Sequence, residues 1–105
     1  MKTAELTGAA LDWAVAQATE FDNGDWLPDY STEWCHGGAI IESELIDIFT
    51  VEGGTDGWQA NKHLPDEMVT AYGETPLIAA MRCYVASKLG DEVEVPKELL
   101  SCAHE

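Results

Sequence analysis

Residues 73–90 constrain the fold more than any other part of the chain. Thr75 is a good N-cap, and Pro76 stands at the first helical position, where a missing N–H costs nothing. Gly90 is placed to close the other end in a left-handed conformation. Lys88 falls in the last turn, where a cation favours the helix dipole. The pattern predicts one helix over 75–89, with Leu77, Ile78, Met81, Tyr84 and Val85 mostly buried. One residue disagrees with that apolar run. Arg82 carries the only guanidinium in the protein. In such a helix it must meet a carboxylate, a cluster of carbonyls or a bound anion.

The rest of the chain reads as α+β. Thr7 is expected to cap a first helix, with Leu6 and Leu11 set to form a hydrophobic staple. Leu11, Ala14, Val15 and Ala18 follow at helical spacing and define a buried stripe, with Trp13 off it. Residues 22–32 are acidic and contain Gly24 and Pro28, as in a surface loop. Gly37 and Gly38 suggest a turn with positive φ, and residues 40–44 a short helix or turn. Residues 45–51 are β-branched and aromatic enough for a strand. Gly53, Gly54 and Gly57 then permit a turn, and residues 57–62 return as its partner. A third short strand is expected at 93–95, and Pro96 ends it or begins a final helix. The expected fold is a small antiparallel sheet of two to three strands packed against two main helices. Its 105 residues form one domain, with a core large enough to fold without staples.

Twenty acidic residues oppose five basic ones, a formal charge of −15. That balance argues against direct binding of nucleic acid or of an anionic membrane surface. The acids are spread along the whole chain. They read either as a solvated surface or as a copy of the phosphate ladder of DNA. The three cysteines are odd in number and widely spaced, and no apolar run has membrane-spanning length. A cytoplasmic protein with free thiols is expected, Cys83 acting as a small hydrophobe.

Catalytic motifs are weak. Cys35 and His36 are adjacent, which rarely orients a nucleophile towards its base, and no cysteine-protease signature surrounds them. Cys35, His36 and His63 or His104 lack zinc-ligand spacing. No metal and no cofactor are expected, and no enzyme activity. The constellation that carries most is a ligand site. Arg82 offers bidentate donors to a phosphate or carboxylate, and the helix start at Thr75 offers unpaired N–H groups. Trp34 and Trp58 are candidates to stack on a base, and Gly37 and Gly38 to let backbone approach a ligand. The competing reading makes Arg82 architectural, bridging to Asp47 or another acid, with both tryptophans in the core.

Three stretches also carry a resemblance: LTGAALDWAVAQA at 6–18, YSTEWCHGGAIIESELI at 30–46 and GETPLIAAMRCYVASKLGDEVEVPKEL at 73–99. Together they resemble the NinX family of small accessory proteins of lambda-like phages. The middle stretch departs from the family pattern at Ala39, where Pro is usual. The resemblance implies a phage-encoded accessory protein acting inside the bacterial host, and it implies no activity. It turns two function classes towards host takeover or counter-defence. One is a binding module that captures a small anionic, nucleotide-like ligand. The alternative is an acidic inhibitor or DNA mimic that blocks a host defence or nucleic-acid enzyme. Self-association of the chain stays open.

Overall fold

The computed structural model describes residues 2–19, 29–51 and 57–95. A 3-10 turn at Thr3–Glu5 leads into α1 (Gly8–Thr19). There follow α2 (Trp34–Glu44), β1 (Asp47–Thr50), β2 (Trp58–His63), β3 (Met68–Gly73) and α3 (Pro76–Leu89). The strands form one antiparallel sheet in the order β1-β2-β3. This is an α+β fold of three helices on a three-stranded sheet.

The helix α3 is the centre. It touches all three strands, both other helices and the 3-10 turn. Leu77, Met81, Tyr84 and Val85 are buried, and Ile78 is half-buried against the core. Thr75 caps it, its Oγ1 accepting from the Ile78 N–H at 3.1 Å. Gly90 ends it with positive φ but with φ 90° and ψ −168°, outside the left-handed helical region expected of it. The Cys83 thiol, buried on the same helix, donates to the Val69 carbonyl at 3.4 Å. Burial pushes its pKa up to about 11, so it is a packing group. Cys35 is a free thiol on the exposed side of α2.

Helix α1 starts directly after Thr7, whose carbonyl accepts from the Leu11 N–H at 3.2 Å. Leu6 and Leu11 are both fully buried, as are Ala14 and Val15, and Ala18 is half-buried. Asp12 is buried beside them and accepts the Ser31 N–H at 2.8 Å, which pins the turn that enters α2. That helix is longer than expected. Gly37 and Gly38 lie inside it, and neither has positive φ. The reason at Gly37 is close approach. A Cβ there would overlap the Tyr30 carbonyl and a Leu77 methyl. Leu45, at φ 54°, closes α2 in the left-handed conformation.

β1 and β2 pair as expected, with Ile48 opposite Ala60 and Phe49 opposite Gln59. The third strand is not at 93–95, which lies in irregular chain with Val93 buried. It is β3, reached by a two-residue loop at Pro65 and Asp66. Leu64 and Glu67 exchange main-chain hydrogen bonds across that loop at 2.7 and 3.4 Å. Val69 and Ala71 face inward, and Met68, Thr70 and Tyr72 are exposed. Such an alternation of period two is what a strand with one buried face requires. The expected helix after Pro96, the loop at 22–28 and Cys102 lie outside the described residues.

Two expectations follow. Met81 is fully buried within the core, so Met81→Ala leaves a cavity and costs about 2–5 kcal/mol. Urea denaturation measures this, and an unchanged midpoint would contradict the burial. Burial raises the Asp12 carboxyl above its ordinary 3.8, hydrogen bonding from Ser31 offsetting part of the effect. The native protein then holds this proton more tightly than the unfolded chain does. The associated stability is full below pH 3.8 and is lost as pH rises through the raised native value. Asp12→Asn keeps an oxygen acceptor for Ser31 and removes the charge. The difference in denaturation midpoint, variant minus wild type, should therefore grow as pH rises above 3.8 towards the raised native value.

Candidate functional site

Four segments surround a cavity of about 570 Å³ at the outer edge of the sheet. β3 forms one wall through Thr70, Ala71 and Tyr72. Lys2 and Thr3 form another, joined to the segment that follows α3. The Thr3 N–H donates to the Asp91 carbonyl at 2.7 Å, and Thr3 Oγ1 donates to the Gly90 carbonyl at 2.7 Å. Lys2 and Glu92 form an isolated β-bridge beside them.

Arg82 ties the walls together. Its Nε donates to the Leu6 carbonyl at 2.9 Å and its Nη1 to the Tyr72 carbonyl at 2.8 Å. It is 8% exposed and lines the cavity. Of the partners considered from sequence, two carbonyls are therefore in place. The proposed bridge to Asp47 is not formed. Asp47 lies on β1 and pairs with His63 Nε2 at 3.4 Å. Carbonyl oxygens satisfy guanidinium donors.

Charge is unevenly placed around this cavity. Lys62 and Lys88 reach the same carboxylate, Glu44, at 3.2 and 3.9 Å. Lys2 and Arg82 both line the cavity, and so do Asp91 and Glu92, which lie beside Lys2 and Thr3. Tyr72, 48% exposed, is among the lining residues. The cavity lining thus combines two basic residues, two acidic residues and a tyrosine.

The other residues expected at a ligand site lie elsewhere. Trp34, at the start of α2, is 55% exposed. It shares a second cavity of about 250 Å³ with Thr75 and Pro76. Gly38 packs beside its ring, and Gly37 serves the helix contact described above. Trp58 is half-buried on β2 between Thr50 and Gly73 and packs on the core. Neither of these two cavities holds both Thr75 and Arg82, although the residues lie two turns apart on one helix. Gly73 explains the separation. Its backbone presses on α3 so closely that a Cβ would stand 2.5 Å from the Ala79 nitrogen. The end of β3 therefore fills the space between them. Sequence reasoning missed Tyr72 and Thr70, which the alternation across 68–73 would have placed on one exposed row. Lys2 gave no signal at all.

Arg82→Leu would strand two carbonyls, at about 1–3 kcal/mol each where they are buried. A clear loss of thermal stability is expected for the ligand-free variant. An unchanged unfolding midpoint would show that the two bonds carry little.

The comparisons with known proteins agree with this fold. A crystal structure at 2.0 Å of a phage protein from Bacillus cereus ATCC 14579 superposes with a TM-score of 0.69. It covers 83% of this chain and 97% of its own, at 13% identity, which is a likeness of fold. No curated protein matches the sequence. Among the described residues no helix is long and apolar enough to cross a membrane. The family model described as "Bacteriophage P22, NinX" matches residues 24–88, more than half of the chain. The chain belongs to the NinX family of phage proteins.

Proposed function

We propose that this phage accessory protein is a non-enzymatic binding module, and that it captures a small anionic, nucleotide-like ligand in the cavity over Arg82. One observation carries the reading. In a chain with five basic residues and a charge of −15, two of the five converge on one cavity beside an exposed tyrosine ring. The volume of about 570 Å³ lies in the range of small-molecule sites. Lys2 and Arg82 supply the field for a phosphate. Tyr72 supplies a stacking face for a base, and Asp91 or Glu92 supplies an acceptor for ribose hydroxyls. In the setting of a phage protein, such capture fits counter-defence, by removing a nucleotide-derived signal of the host.

The site tests without disturbing the fold, because Lys2 and Tyr72 are exposed. Linear mononucleotides and cyclic dinucleotides are screened by thermal shift, and at least one is expected to raise the unfolding midpoint. Tyr72→Ala should remove about 1–3 kcal/mol of its binding. Lys2→Glu should weaken it and reduce its dependence on salt. A screen in which no nucleotide stabilises the protein overturns the reading. If a host protein instead co-purifies, dissociates steeply with salt and is displaced by DNA, the acidic inhibitor is the correct class.

A further inference from the structure

We infer that the outer edge of β3 reads the base of the captured nucleotide through its main chain. The inference rests on the capture site proposed above and adds how that site tells one ligand from another. It starts from strand register. In an antiparallel pair, opposed residues alternate between exchanging both main-chain bonds and exchanging none. Leu64 and Glu67 exchange theirs. Counting back along the register, Lys62 with Val69, Ala60 with Ala71 and Trp58 with Gly73 are the bonded pairs. The main-chain groups of Thr70 and Tyr72 therefore turn away from β2, towards the free edge. Arg82 confirms the direction, since it takes the Tyr72 carbonyl from that side.

Three groups then face the cavity on that edge: the Tyr72 N–H, the Thr70 carbonyl and the Thr70 N–H. The only main-chain partner strand of β3 is β2, and no turn or loop bond reaches these three groups among the described residues. Both residues line the cavity that holds Lys2 and Arg82. An extended peptide needs a continuous ladder, and here the run stops where Arg82 occupies the Tyr72 carbonyl. A run of donor, acceptor and donor suits a planar heterocycle with adjacent donor and acceptor atoms, which is the edge of a nucleobase. The Tyr72 side chain leaves the same residue at the rim, so edge and face of one base can be met together.

The strand edge offers a direct test. Proline at an outward-facing position of an edge strand removes the N–H without breaking the ladder. Binding of AMP, GMP, CMP, UMP and ribose 5-phosphate is measured by titration calorimetry for wild type and Thr70→Pro. Wild type should prefer one nucleotide to ribose 5-phosphate by about tenfold or more. In Thr70→Pro that preference should collapse while affinity for ribose 5-phosphate is kept. If wild type binds none of these probes, the capture site itself is wrong. If wild type prefers a nucleotide and folded Thr70→Pro keeps the preference, capture stands and edge reading is wrong. Should the variant fail to fold, wild type is titrated with the preferred nucleotide methylated on its Watson–Crick edge. An undiminished affinity for that analogue overturns the inference.

Discussion

A guanidinium buried in an apolar helix must be met from outside that helix, and the arrangement of this molecule follows from how it is met. Arg82 reaches main-chain oxygens at Leu6 and at Tyr72, one before α1 and one at the sheet edge. Each bond fixes a segment through its main chain. The first holds the N-terminal turn over α3, and the second holds the outer strand. Two carbonyls let one side chain join two segments of main chain. The same residue braces the interior and lines the cavity.

The packing around that brace depends on residues with little or no side chain. Gly37 lets α2 rest against Tyr30 and Leu77, and Gly73 lets the end of β3 rest on the backbone of α3 at Ala79. Ala60, Ala71, Ala79 and Ala80 are buried at the same sheet-to-helix interface. Small residues bring backbones close, so a short chain obtains a dense centre. The consequence reaches the surface. Where β3 closes on α3 it divides the face of that helix into two hollows, one at its start and one at Arg82.

Much of this was legible in the sequence, for identifiable reasons. The α3 ends were readable because Thr75, Pro76 and Gly90 act locally, and the buried row because it repeats with the helix. The β1–β2 pairing was readable from β-branched and aromatic residues flanking glycines. What escaped was decided by tertiary contact. Glycines in Gly37 and Gly38 look like a turn unless the neighbour that demands closeness is known. β3 was overlooked because Ala71 and Gly73 are weak strand formers, although Val69, Thr70 and Tyr72 favour a strand and the row alternates correctly. For the site, Arg82 stood out by its chemistry, and Tyr72, Thr70 and Lys2 come beside it only through the fold. Trp34 and Thr75 do meet, but at the other hollow.

The connections that close the cavity are among the longest in the chain. Arg82 bonds to a residue 76 positions earlier, and Thr3 to one 87 positions later. Contacts of that span form only after α3 and residues 90–92 have been synthesised. Whatever the cavity holds, it meets only a chain made at least as far as residue 92. A nascent product that stops before α3 includes the segments of the sheet and the first two helices but lacks Arg82 and the wall at Asp91 and Glu92. Assembly of the site thus acts as a check on the integrity of the polypeptide, built into the order in which its parts appear.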